Sequence, residues 1–135
     1  MKELRLHPRI PTQLMADVTN SNGETLPAKV VNLSPGGLML LGDEPLKHLV
    51  FAGQDPEKDP LFHPVEVEIR IPLPGQLQPF YSRIRLLYIR RLSQNEYNMG
   101  FRYVAISSIH TKMMERHIFP EGQNDNGNAQ FSASI

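Results

Sequence analysis

Cysteine is absent from the 135 residues, which removes disulfides, thiol nucleophiles and cysteine-held metals together. Such a chain suits a reducing compartment, and a cytoplasmic location is expected. Net charge is missing as well, because 14 Lys and Arg balance 14 Asp and Glu. General nucleic-acid binding draws on a surplus of positive charge, so a zero balance counts against it. No apolar run approaches the roughly 20 residues that span a bilayer. Met1-Lys2-Glu3-Leu4 does not open a signal peptide. Membrane insertion is therefore not expected. Internal repeats, a P-loop, a Ser-His-Asp spacing and a paired-carboxylate motif are also lacking. His110 and His117 stand seven apart on one predicted helix, about 10 Å, too far for one common metal ion. No enzyme, metal or cofactor is expected.

What is there describes an ordinary soluble domain. Hydrophobic residues at 40% and charged residues at 21% fit a single modest core in a chain of this length. The zero net charge hides a segregation. Asp43, Glu44, Asp55, Glu57 and Asp59 crowd one loop, whereas Arg83, Arg85, Arg90, Arg91 and Arg102 occupy two predicted strands. The acidic loop 43–59 reads as solvated surface, with partner docking as the lesser alternative.

Alternation of apolar and polar residues supplies the element plan. Thr12 to Asn20 alternates, with Leu14, Ala16 and Val18 on one face and Met15 and Asp17 on the other. Ser21-Asn22-Gly23 turns the chain, and Thr25 to Leu33 returns as a second strand. Ser34-Pro35-Gly36-Gly37 turns again into a short strand, Leu38 to Leu41. Gly42 to Pro64 reads as loop, with a helical turn around Leu46 to Phe51. Val65 to Ile71 alternates strictly and ends at Pro72 and Pro74. Phe80 to Leu92 and Tyr97 to Ile106 form a last pair, and Leu86-Leu87 breaks their pattern as a bulge does. Counting parity from there puts Leu87 and Ile89 toward the core and Tyr88 and Arg90 outside. Ser107 or Ser108 caps a helix to about Phe119, with Ile109, Met113 and either Ile118 or Arg116 on its mixed face. Gln123 to Ile135, rich in Asn, Gln, Gly and Ser, is expected to be disordered. The plan is mainly β: a small six-stranded antiparallel barrel, a C-terminal helix across it, and a flexible N-terminal arm. In domain terms these are an arm at 1–11, the barrel and helix at 12–119, and a tail at 120–135.

Two short motifs carry the functional signal. Arg5-Leu6-His7-Pro8-Arg9 places two guanidinium forks four residues apart, suited to phosphate and to the acceptor edge of guanine. Asn32-Leu33-Ser34-Pro35-Gly36-Gly37 offers short polar groups on a tight turn. Pro35 stiffens that turn, and Gly36 and Gly37 permit backbone angles closed to other residues. Either motif alone is weak. Together, with a strand and turn between them, they describe a pocket for an anionic guanine nucleotide.

In these motifs the chain resembles the PilZ domain family, bacterial receptors for cyclic di-GMP. The likeness runs roughly from Arg5 to Phe119 and includes Asn98-Met99-Gly100-Phe101-Arg102-Tyr103-Val104, which is similar to the family's Gly-x-x-Phe-type last strand, shortened to Gly-Phe. Because so few residues precede Arg5, long-extension versions of the fold are not expected. The resemblance implies that Arg5 and Arg9 grip phosphate and guanine, with Leu4 and His7 beside them. It also implies that Asn32 reads guanine while Ser34, Gly36 and Gly37 shape the contact. Tyr88 beside Arg90 is a ready stacking surface for a purine, and reads equally as an ordinary surface tyrosine. The implied function is a receptor whose arm orders on cyclic di-GMP and whose changed surface meets a downstream protein, in motility or biofilm formation for instance. Two alternatives stand beside it. One is an adaptor of the same fold with weak or no ligand binding. The other is a small barrel that binds single-stranded nucleic acid through Tyr81, Tyr88, Phe101 and the strand arginines.

Overall fold

The computed structural model describes residues 10–52, 54, 55, 57, 58 and 63–120. Leu4, Arg5, His7 and Arg9, and the tail from residue 121, lie outside the described residues.

Six strands alternate inward apolar and outward polar residues as the pattern predicts. They are β1 (Ile10–Thr19), β2 (Thr25–Leu33), β3 (Gly37–Gly42), β4 (Glu66–Ile71), β5 (Phe80–Ser93) and β6 (Glu96–Ala105). Their order is β1-β2-β3-β6-β5-β4 in a closed barrel, with β4 also paired to β1 and every pairing antiparallel. Closure turns the inner faces of the strands into the core. Val18, Val30, Leu33, Leu40, Ile69, Ile71, Phe80, Ile84 and Met99 are all 0% exposed there. Each such side chain stabilises the fold by about 1.5–3 kcal/mol on burial.

Helix α1 (Glu44–Phe51) lies within the segment expected to be loop with only a helical turn. A full helix forms because Asp43 caps it, accepting a hydrogen bond from the Leu46 N–H at 3.1 Å, and because Leu46, Leu49, Val50 and Phe51 have a core to enter. It packs against β1, β2, β3 and β6. Buried Asn20 ties it to the first hairpin by donating to the Leu49 carbonyl at 2.9 Å. Helix α2 (Ser108–Ile118) is capped by Ser107 and packs on β5. Its buried residues are Met113, Met114 and Ile118. Ile109, expected on the packing face, is 69% exposed, because the helix buries a narrower stripe near its C-terminal end.

Three register shifts occur at one level of the barrel. They fall between Pro11 and Leu14 in β1, Val30 and Asn32 in β2, and Leu86 and Tyr88 in β5. Such bulges bend strands and re-aim the side chains beside them.

Candidate functional site

The Ser34–Gly37 turn is built by its own serine. Ser34 Oγ accepts hydrogen bonds from the Gly37 and Gly36 amides at 3.1 and 3.3 Å and lies 3.2 Å from the Gly37 carbonyl, to which it donates. The Ser34 amide donates to that same carbonyl at 2.9 Å. With Ser34 7% exposed, its hydroxyl is committed to shaping the turn. The Tyr103 amide donates to the Gly36 carbonyl at 3.1 Å, fastening the turn to β6.

The glycines differ from expectation. Positive φ among the described glycines belongs to Gly23 and Gly75, not to Gly36 or Gly37. Gly37 is required by close approach instead: an added Cβ would collide with the Phe101 carbonyl oxygen and stand 3.0 Å from Arg102 Cα. The backbone of β3 can therefore meet β6 directly at this point, with Gly37 opposite Arg102.

Pairing then assembles a row across the outer face. Pro11 is opposite Asn32, Asn32 opposite Met39, Met39 opposite Gly100, and Gly100 opposite Tyr88. Residues directly opposite in a sheet share a face, so Asn32, Met39 and Tyr88 stand side by side. Asn32 is half-buried, and its amide contacts Met39 Sδ at 3.8 Å. That weak contact is the only side-chain hydrogen bond of Asn32 among the described residues, which leaves its carbonyl oxygen and a second N–H available.

Tyr88 faces outward as predicted and is 40% exposed. Leu87, predicted to face the core, is 52% exposed. The bulge explains both. It inserts Leu87 as the extra residue between Leu86, opposite Phe101, and Tyr88, opposite Gly100, so strict alternation fails for one residue.

Two further rows flank this one. Lys29, Leu41, Asn98 and Arg90 form one, and Gly37, Arg102, Arg85 and Glu66 the other. Three of the six strand arginines have partners among the described residues. Arg85 binds Glu66 through Nε at 2.8 Å and Nη2 at 2.6 Å, Arg70 stacks on Tyr81 at 5.7 Å, and Arg91 donates to the Ser93 and Gln94 carbonyls. Arg90 and Arg102 are exposed, and their guanidinium groups make no ion pair, hydrogen bond or ring contact among the described residues. The face is thus an aromatic ring and an amide between two available cations.

Of the residues that share this face, the sequence named Asn32, Tyr88 and Arg90 as candidates and did not name Met39, Gly100 and Arg102. Met39 was legible by parity, since Leu38 and Leu40 alternate with it inside the barrel. Gly100 and Arg102 enter only through register. The expected site residues Leu4, Arg5, His7 and Arg9 precede Ile10, where the description begins.

Other features of the sequence resolve into structure. The Tyr97 hydroxyl donates to the Glu44 carboxylate, and that bond holds Glu44's carboxyl below its ordinary range. The Lys47 ammonium and Arg91 guanidinium lie 4.7 and 5.7 Å from the Tyr97 ring. Glu44 therefore staples α1 to the β5–β6 hairpin, its amide also donating to Asn95 Oδ1 at 3.2 Å, while Asp43 caps the helix. Phe101, an aromatic of the nucleic-acid alternative, is 3% exposed inside the barrel and stacks on nothing outside. Among the described residues no group of three or more His, Asp or Glu could hold a metal, and no helix is long and apolar enough to cross a membrane.

The fold is a closed six-stranded antiparallel barrel with a polar turn, and Tyr88 stands on its outer face. The PilZ domain model matches residues 3–119, and the chain belongs to that family. No curated protein matches the sequence. Among solved structures, the Bacillus subtilis inhibitor of motility MotI/DgrA is similar with a TM-score of 0.64 at 13% identity, over 92% of this chain and 54% of that one. The PilZ domain of YcgR from Escherichia coli, solved with c-di-GMP, gives 0.59 at 18% over 87% and 91%. The K. pneumonia MrkH–c-di-GMP complex gives 0.60 at 15% over 87% and 52%. At these identities the likeness is one of fold, and the chain spans about half the length of MotI/DgrA and of MrkH.

Proposed function

We propose that the chain is a cyclic di-GMP receptor that takes its ligand on the outer face of β2, β3, β6 and β5. The observation that carries this reading is the pairing of Pro11 with Asn32. Arg9 precedes Pro11 by two residues, so the chain keeps their Cα atoms within about 7 Å. Arg9 is thus tethered close to Asn32, whose neighbours across the outer face are Met39, Gly100 and Tyr88. Guanine offers acceptors at N7 and O6 with donors beside them, and an amide with a free carbonyl and N–H matches that mixed edge. Phosphates take arginine forks. Ser34, Gly36 and Gly37 serve by shaping the turn, while Arg5, Arg9 and Asn32 make contact, with Leu4 and His7 alongside.

Ligand orders the segment before Ile10 against the barrel, and the altered surface meets a protein partner in a bacterial cytoplasmic pathway such as motility or biofilm control. Solved PilZ neighbours bound to c-di-GMP support the ligand class. Isothermal titration of the chain with cyclic di-GMP tests the reading, with cyclic di-AMP as the control for guanine. Saturable binding of the first alone is expected. Equal binding of both removes the guanine assignment, and binding of neither removes the receptor.

A further inference from the structure

Gly100 sits at the centre of the row, opposite Met39 on β3 and Tyr88 on β5. A Cβ added there would strike Tyr88 Cε2 and lie 2.5 Å from Cζ and 2.9 Å from the hydroxyl oxygen. The tip of the tyrosine ring thus occupies the space that any side chain at residue 100 would fill. Tyr88 stands on the outside of the barrel, yet only 40% of it is exposed. Its cover is the bare backbone of β6. The three atoms nearest an added Cβ all belong to a surface ring that can swing away, so the collision concerns the ring's position and not the barrel's closure. On either side, along β5 and β6, stand the unpaired cations Arg90 and Arg102.

We propose that Gly100 is a positioning residue of the ligand face, holding no side chain so that the Tyr88 ring can lean across β6 toward Met39 and Asn32. With the ring in that place, the stacking surface and the Asn32 amide bound one platform. With any side chain at residue 100, the ring turns outward and the platform is lost. Gly100 acts through Tyr88 and need not touch the ligand itself. The proposal rests on the cyclic di-GMP reading above.

The test is a double-mutant cycle read by cyclic di-GMP titration, with thermal melts as the check on folding. Tyr88→Ala and Gly100→Ala should each weaken binding by roughly five- to 150-fold, the worth of one stacked base. In the Tyr88→Ala background Gly100→Ala should add nothing further, because the ring it displaces is gone. Tyr88→Phe, which keeps the ring, should bind like wild type. Wild-type affinity in Gly100→Ala overturns the proposal, and so do losses that multiply in the double variant. A ligand-free measurement stands beside it. The Gly100 Hα resonances of the intact protein should carry a ring-current shift that Tyr88→Ala removes and Tyr88→Phe keeps. Resonances indifferent to Tyr88→Ala overturn the placement whether or not Gly100→Ala folds. Failure of the ligand reading shows differently, as a wild type that takes up no cyclic di-GMP.

Discussion

At the scale of single residues, two groups with similar motif positions do different work. Arg5 and Arg9 precede the first strand in sequence. Replacing either by alanine should weaken cyclic di-GMP binding about ten- to a hundredfold through loss of charge-assisted bonds worth roughly 1.5–3 kcal/mol. The ligand-free melting temperature should stay unchanged, and wild-type titration curves from both variants would remove the motif from the site. Ser34 is the opposite case. Its buried Oγ receives two amides, so Ser34→Ala orphans the buried Gly37 donor and should cost about 1–3 kcal/mol of stability. Binding should fall with the turn. Gly37→Val is more severe, since its Cβ meets the Phe101 carbonyl and Arg102 Cα, both backbone. Thermal melts should rank the two, Gly37→Val below Ser34→Ala. Equal melting temperatures would mean that β3 and β6 are further apart here than described.

At the scale of elements, α1 shows what a cap and a core can do to a segment with a loop's composition. Its eight residues are too few for an isolated helix. Asp43 at the N-cap and four buried side chains supply what propensity does not. Asp43→Ala should therefore destabilise the domain by about 0.5–2 kcal/mol, measured by urea denaturation with an unchanged slope. An unchanged midpoint would assign α1's stability to packing alone. The β5–β6 hairpin is coupled to the same helix through Tyr97 and Glu44, so Glu44 is structural as Asp43 is at the cap. The bulge at Leu87 is the other lesson of this scale. It lets one strand keep an inward Leu86 and an outward Tyr88 while spending an exposed leucine between them.

For the molecule as a whole, the core carries one polar anomaly. Tyr103 is 8% exposed, its ring packs edge-on to Phe80 at 5.5 Å, and its buried hydroxyl has no hydrogen-bond partner among the described residues. Burial pushes its ionisation well above the ordinary tyrosine range. The unfolded chain then releases this proton at about pH 10, while the folded protein still holds it. Stability from this group is present below that pH and declines as pH rises toward the folded value. Tyr103→Phe should flatten the alkaline limb of a stability-against-pH curve and, by removing an unsatisfied hydroxyl, leave neutral-pH stability equal or higher. A loss of more than about 1 kcal/mol at neutral pH would mean that the hydroxyl has a partner, such as an ordered water.

Composition and alternation alone determined much of this. The absence of cysteine and of a long apolar run bounded the class, and the strict pattern at Val65–Ile71 and its fellows counted the six strands. The spacing of Arg5, Arg9, Asn32 and Gly37 named the ligand chemistry to be tested. These properties are local, because alternation and turn chemistry act between residues close in sequence. Tertiary structure decided which residues share the outer face. Register has a period of two, so a one-residue slip sends a side chain to the opposite side, and each bulge is such a slip. Leu87 came outside for that reason. Met39, Gly100 and Arg102 share the outer face with Asn32 and Tyr88 because β3, β6 and β5 pair them there. Gly37 is a glycine because a strand distant in sequence lies against it, a cause that no local reading of the turn contains.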